Sequence, residues 1–348
     1  MNSLLLLCTA CLVSFAFCAQ EYAPAFKTYQ EMREHLTKLY TLEKYGEAAE
    51  LLLWAREAFT DYLFSNTYNL VVIYAHLDQY TKGIDALQYA LDRGVWFAPY
   101  FYESELWKPL KEQPGFEKIL RQVEALKKKD QETAKPELRI VTPDNYDPKK
   151  KYPLFIALHG GSENIETFKD RWRSPKMSEE FITAYPQSSQ VIAWNGYWWH
   201  GDIELARKEL ADAFRQVMNA YPVNGDSVII GGFSSGGLAA LEALLTNTIP
   251  ATGFIVLCPD CPESFTAERI KEARNRGTRG TLITGEQDGR FPLHNKMVAI
   301  FENEGLLHQY VVIPELGHDY PEDLDIKIDG AIDYIRSTAI IEEQQQED

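Results

Sequence analysis

Ser227-Val228-Ile229-Ile230-Gly231-Gly232-Phe233-Ser234-Ser235-Gly236-Gly237-Leu238-Ala239-Ala240-Leu241 is the stretch that decides how this chain folds. An apolar β-branched run leads into glycines, and an alanine- and leucine-rich run follows, so the segment reads as strand, sharp turn and helix. Within it, Gly232-Phe233-Ser234-Ser235-Gly236 fits G-x-S-x-G, the pattern that presents a serine at the top of a sheet. The turn is strained, so its neighbours must be small, and the helix behind it directs the positive end of its dipole at the serine. The frame cannot shift to Ser235, because position 233 is Phe rather than Gly. A phosphate-binding glycine turn would need a lysine near the second glycine, and none stands there.

Working outward, short apolar runs at Leu138–Val141, Leu154–Leu158, Phe181–Ala184, Val228–Ile230, Gly253–Leu257, Thr281–Thr284 and Tyr310–Ile313 read as strands. Helical spacing intervenes, most clearly at Ile203–Ala220 and Leu238–Thr246. Strands alternating with helices predict an α/β domain with a mostly parallel sheet covered on both faces.

Chemistry-bearing residues fall just beyond those strands. His159-Gly160-Gly161 follows the second run, where backbone N–H groups can face a developing oxyanion; the expected donors are the N–H groups of Gly161 and Ser235. His159, ahead of both glycines, reads as a brace for that loop. A serine nucleophile needs an acid and a base, which follow it in the chain in this arrangement. Asp288 lies past the Thr281–Thr284 strand and His318 past the Tyr310–Ile313 strand. The expected site is therefore Ser234 as nucleophile, His318 as base and Asp288 holding the imidazole. Asp260 and Glu286 are rival acids; His294 and His308 are rival bases that read as surface helix residues. Trp194-Asn195-Gly196-Tyr197-Trp198-Trp199-His200-Gly201 lies between strand and turn, and its Tyr197, Trp198 and Trp199 are candidate substrate-binding residues. The competing reading of that loop is an aromatic cluster sealing one domain on another.

The first half of the chain differs. From about 26 to 129 the apolar spacing is helical, and Leu42, Tyr45, Leu52 and Ala55 recur 35 positions later as Leu77, Tyr80, Leu87 and Ala90. A period near 34 made of helix–turn–helix units is similar to a degenerate pair of tetratricopeptide repeats. So short an array reads chiefly as a structural cap, with protein contact through it as the alternative. The lysine run at 127–129 marks the linker. The expected division is 1–18 leader, 19–130 helical domain, 131–341 catalytic domain and 342–348 polar tail. Leu4–Phe17 is apolar, too short to span a bilayer comfortably, and followed by small residues, as in a cleaved signal peptide; the mature protein is then secreted or periplasmic. Beyond that leader only Cys258 and Cys261 remain, either a short disulfide or two packed thiols, with no second ligand pair for zinc. A net charge of -16 argues against nucleic acid and anionic membrane surfaces as partners.

His159-Gly160-Gly161, Gly232–Gly236, Gly285 with Asp288, and Gly317-His318 together resemble the compact α/β-hydrolase serine esterases. Within that superfamily the match is to phospholipase/carboxylesterases, dienelactone-hydrolase-like enzymes, polyhydroxybutyrate depolymerases and feruloyl esterases, over about residues 138–339. The resemblance implies hydrolysis of a small-molecule or polysaccharide-linked carboxylic ester through an acyl-enzyme, with no cofactor and no metal. A peptidase or amidase of the same fold is the alternative enzyme reading, and a repeat-containing binding protein with an inert hydrolase domain is the alternative outside enzymes.

Overall fold

The computed structural model describes residues 26–337; the expected leader (1–18) and polar tail (342–348) lie outside them. The chain forms two compact units that divide between Glu132 and Thr133. Each is built around its own core.

The N-terminal unit carries helices α1 (Tyr29–Thr41), α2 (Tyr45–Ala58), α3 (Leu63–His76), α4 (Tyr80–Leu91) and α5 (Phe116–Thr133). A capping box starts α1, with the Thr28 side chain and Glu31 each satisfying a backbone N–H at the helix start. The 35-residue echo is a repeat of backbone conformation as well as of residue type. Glu43 and Asp78 both take positive φ, 56° and 54°. Behind them Lys44 N–H donates to Leu39 O at 2.9 Å, and Gln79 N–H donates to Tyr74 O at 2.8 Å. Each turn thus ends one helix and starts the next in the same way. Buried Met32, Leu36, Leu51, Leu52, Leu70, Ile73 and Leu87 supply the packed stripes.

In the second unit a seven-stranded sheet has the order β1-β3-β2-β6-β7-β8-β9. Its strands are β1 (Glu137–Val141), β2 (Tyr152–Leu158), β3 (Ile182–Gln187), β6 (Val223–Phe233), β7 (Gly253–Leu257), β8 (Arg279–Gly285) and β9 (His308–Ile313). All neighbours pair in parallel except β1, which runs antiparallel to β3 at the edge. Alternation along each strand divides the core. Leu154, Ile156, Val228, Ile230, Phe254 and Val256 face one side, where α8 (Ile203–Ala220), α9 (Ser235–Leu245), α10 (Ala267–Asn275) and α11 (Phe291–Asn303) cover them. Phe155, Ala157, Ile229, Ile255 and Leu257 face the other, under α6 (Ile165–Lys169), α7 (Pro175–Glu180) and α12 (Leu324–Arg336). This is an α/β arrangement, a mostly parallel sheet with helices on both faces. A small antiparallel pair, β4 (Val191–Ala193) with β5 (Gly196–Tyr197), stands apart from the sheet.

Register does the positioning. Leu158 pairs with Gly232, Phe233 with Leu257, Leu257 with Ile283, and Gly285 with Ile313. The carboxyl ends of five strands are therefore level. The loops they feed begin at His159, Ser234, Cys258, Glu286 and Pro314 along one edge, where sheets of this kind bind ligands.

Candidate active site

Ser234 occupies the turn between β6 and α9 with φ 51° and ψ -114°, a backbone region that disfavours a side chain. Such strain costs on the order of 1–3 kcal/mol and persists only where the surroundings enforce it. Here they do: Ser234 N–H donates to Leu257 O at 2.9 Å, and Leu238 N–H returns to Ser234 O at 3.0 Å. Glycine is required on both sides. A Cβ on Gly232 would lie 2.4 Å from Leu158 O, and one on Gly236 would lie 2.1 Å from the same oxygen.

The structure brings Ser234, His318 and Asp288 together. His318 Nε2 lies 3.0 Å from Ser234 Oγ, and His318 Nδ1 lies 2.8 Å from Asp288 Oδ2. Ser234 is 9% exposed and the Asp288 side chain 1%, while the His318 side chain stays 31% exposed. A reactant can thus approach serine and imidazole but not the carboxylate. Asp288 is held from several directions. Burial alone would raise its carboxyl, but the Arg290 N–H, His318 and the Cys258 thiol together hold it below the usual carboxylate range. The Arg290 N–H bond is 2.8 Å long. Two main-chain bonds tie the acid loop to the base loop, Glu286 N–H to Ile313 O and Gln287 N–H to Leu316 O, both 2.9 Å.

Gly161 faces the serine turn: a Cβ placed on it would lie 3.8 Å from Ser235 Cβ. The neighbouring Gly160 N–H is already donated to Glu163 Oε2 at 2.7 Å, which leaves Gly161 as the glycine directed at the serine turn. His159 is fully buried. Its Nδ1–H donates to Gly160 O at 2.8 Å and its Nε2 accepts from Ser188 N–H at 3.4 Å. Burial pushes its imidazole down to about 4, outweighing the backbone bond to Gly160. It is a neutral brace.

The rivals separate cleanly. Glu286 points to solvent. Asp260 is taken by Arg290, whose Nε and Nη2 both donate to its carboxylate. The expectation that His294 and His308 are surface helix residues is corrected. His294 is completely buried in α11, accepting from Thr284 Oγ1–H at 2.7 Å and donating to Pro259 O at 2.9 Å. His308 is half-buried and opens strand β9. The polar run from His294 to Lys296 suggested solvent, but Thr284 and Pro259 supply buried partners from two other strand ends.

The aromatic loop divides as well. Trp199 is 0% exposed, which corrects its candidacy for substrate contact. Its indole N–H donates to His159 O at 3.1 Å and its backbone N–H to Ser235 Oγ at 3.0 Å, so it braces both turns from inside. Tyr197 and Trp198 are half-buried. The Tyr197 main chain pairs with Ser162 and Glu163, donating to Glu163 O and accepting from Ser162 N–H, each at 2.9 Å. Sequence reasoning missed three residues here. His200 Nδ1 lies 3.0 Å from Ser235 Oγ, and Arg290 Nη1 lies 3.4 and 3.5 Å from the two ring nitrogens of His318. Glu163 is the third. All three reach the site from separate loops, and no spacing pattern marks them.

Cys258 and Cys261 are free thiols. Donor atoms of Cys258, Asp288 and His318 lie within 4.8 Å of one another. Burial, with Asp288 adding to it, pushes the Cys258 thiol up to about 12, so it is a protonated donor to the carboxylate. A cavity of about 660 Å³ opens beside β1, lined by Pro136, Glu137, Gln187, Glu209 and Asp212. Trp199 reaches its wall, but Ser234, His318 and Asp288 do not line it. The arrangement of reactive groups, not cavity size, marks the place where chemistry can occur.

No family model matches the sequence, and no curated protein matches it either. Solved structures similar to this chain include an uncharacterized protein from Bacillus cereus, 26% identical, covering 89% of this chain and 99% of that one with a TM-score of 0.49. S-formylglutathione hydrolase from Staphylococcus aureus is 16% identical over 57% of this chain and 92% of its own, with a TM-score of 0.44. A phospholipase/carboxylesterase from Dyadobacter fermentans is 16% identical over 57% and 97%, with a TM-score of 0.43.

Proposed function

We propose that this chain is a serine hydrolase that cleaves carboxylic esters through an acyl-enzyme. The observation that carries the reading is the continuous pair of contacts from Ser234 Oγ to His318 Nε2 at 3.0 Å and from His318 Nδ1 to Asp288 Oδ2 at 2.8 Å. In this mechanism His318 removes the Ser234 proton as the oxygen attacks the ester carbonyl. The N–H groups of Gly161 and Ser235 receive the negative charge on the former carbonyl oxygen. His318 then gives its proton to the departing alcohol. Water repeats the sequence on the acyl-serine, releasing the acid and restoring Ser234. Asp288 keeps the imidazole in the tautomer with Nδ1 protonated and stabilises its charged form.

A fluorophosphonate probe is expected to label Ser234, and 4-nitrophenyl acetate is expected to be cleaved with burst kinetics. Ser234→Ala should abolish labelling and lower kcat by about 10⁴-fold or more. Cleavage by Ser234→Ala at the wild-type rate would refute the assignment. The proposal extends to export after removal of residues 1–18, which a mature N-terminus at Ala19 tests. It also extends to reading the doubled helix pair as degenerate tetratricopeptide repeats, on the strength of the matching turns at Glu43 and Asp78. Among the described residues, no helix is long and apolar enough to cross a membrane.

A further inference from the structure

We propose that Glu163 is a positioning residue of this site, one whose carboxylate holds the oxyanion-facing turn and the loop bearing His318 in register. The inference rests on the serine-hydrolase reading above and adds a residue to it. Glu163 Oε2 accepts the Gly160 N–H at 2.7 Å. The same carboxylate accepts the Tyr320 hydroxyl, at 2.8 Å on Oε2 and 3.0 Å on Oε1. Gly160 immediately precedes the glycine that faces Ser235, and Tyr320 stands two residues beyond His318. One buried group thus joins two loops separated by more than 150 residues of chain.

The third member of the site is tied in through aromatic packing. The Tyr320 ring lies 4.3 Å from the ring of Phe233, and Phe233, which precedes Ser234, lies 4.9 Å from the His318 ring. Space around Gly160 is limited by the same residues: a Cβ there would meet Phe233 at 2.7 Å and Glu163 Oε2 at 2.8 Å. Movement of Glu163 therefore shifts the donor turn and releases Tyr320 together. The turn's main chain is fixed separately, by Tyr197 N–H donating to Glu163 O at 2.9 Å. The carboxylate is left with the specific task of setting how Gly161 and His318 stand relative to Ser234.

Charge makes this arrangement unfavourable for stability alone. The Glu163 side chain is only 15% exposed, and its cation, Arg171, is 3.7 Å away with a side chain that is 52% exposed. Burial raises the carboxyl above its ordinary range despite Tyr320, the Gly160 N–H and Arg171, and Asp319 adds to the rise. A buried carboxylate so weakly paired is retained against a desolvation penalty. Its hydrogen bonds converge on the catalytic loops.

Four variants test the assignment: Glu163→Gln, Glu163→Ala, Tyr320→Phe and the Glu163→Ala/Tyr320→Phe double variant, with Ser234→Ala as reference. With a 4-nitrophenyl ester, Glu163→Gln is expected to lower kcat by about 10-fold and Glu163→Ala by about 10–100-fold, with KM within about threefold of wild type. Fluorophosphonate labelling should slow in parallel. Glu163→Gln keeps one acceptor oxygen and sheds the buried charge, so its Tm should equal or exceed that of wild type even as kcat falls. The double variant should lose less than the product of the two single losses, because both remove the same link. A wild-type kcat in folded Glu163→Ala, or a loss of kcat that only follows a loss of Tm, overturns the inference. If Ser234→Ala itself retains activity, the serine-hydrolase reading falls first, and the two failures are told apart.

Discussion

Asp288 illustrates what single residues do in this site. Its carboxylate receives His318 Nδ1–H at 2.8 Å and the Arg290 N–H at 2.8 Å, with the Cys258 thiol as a further donor. An amide cannot replace it, because an asparagine presenting its NH₂ to Nδ1 would favour the tautomer with the proton on Nε2, facing the serine. Asp288→Asn should lower kcat by about 10⁴-fold while leaving the fold intact, as measured by ester hydrolysis beside circular dichroism. Cys258→Ala removes only one of three donors, so its loss should stay under about tenfold. A thiol variant as damaging as Asp288→Asn would mean that the acid had been placed on the wrong residue. At this scale legibility was uneven. Ser234, Asp288 and His318 each follow a strand in a fixed order, which a sequence displays. Glu163, His200 and Arg290 matter through contacts across loops, and nothing local to them announces it. Trp199 was legible as important but not in its role, since aromatic character does not distinguish an inward brace from a pocket wall.

Elements show the same division. Parallel strands buried on both faces are continuous apolar runs, so β2, β6, β7 and β8 stand out in the sequence. The edge strand β1 alternates exposed and half-buried residues, and its antiparallel pairing with β3 depends on chain path rather than composition. The β4–β5 pair is three and two residues long, below the length at which any periodicity registers. Where β6 meets α9, close approach is dictated by glycine, and this gives a sharp prediction. In Gly236→Ala the new methyl would sit 2.1 Å from Leu158 O and 2.5 Å from His159 O, both main-chain atoms that cannot swing aside. The variant should lose at least about 3 kcal/mol of stability and its labelling by fluorophosphonate. Gly330, exposed within α12 and with nothing within 4 Å of its Cβ position, offers the opposite case. Gly330→Ala should stabilise by about 0.5–1 kcal/mol through helix propensity alone. Urea unfolding of both variants checks the sign at each position.

For the whole molecule, the interior of the sheet domain sets how it responds to acid. His159 is fully buried and neutral, its imidazole pushed down to about 4 from an ordinary 6.5. His294, buried between Thr284 and Pro259, is lowered in the same direction by burial. When the chain unfolds, both rings take up protons at their ordinary value. Between about pH 6.5 and pH 4 the unfolded state therefore binds more protons than the folded one, and stability falls as pH falls. The shift of His159 corresponds to on the order of 3 kcal/mol once the pH reaches 4. Asp288, held below its ordinary range, acts at still lower pH, where protonating it removes the partner of His318. The net charge of -16 pulls the other way, because acid relieves self-repulsion among surface carboxylates. The local effect should prevail, since surface charges are screened within about 10 Å at ordinary ionic strength while a buried imidazole is not. Urea unfolding followed by tryptophan fluorescence should thus show about 2–3 kcal/mol less stability at pH 4.5 than at pH 7.5. His159→Gln, which replaces the titrating ring with an amide, should lower stability at pH 7.5 yet flatten its dependence on pH. A variant as acid-sensitive as wild type would place the protons elsewhere and remove His159 from the account.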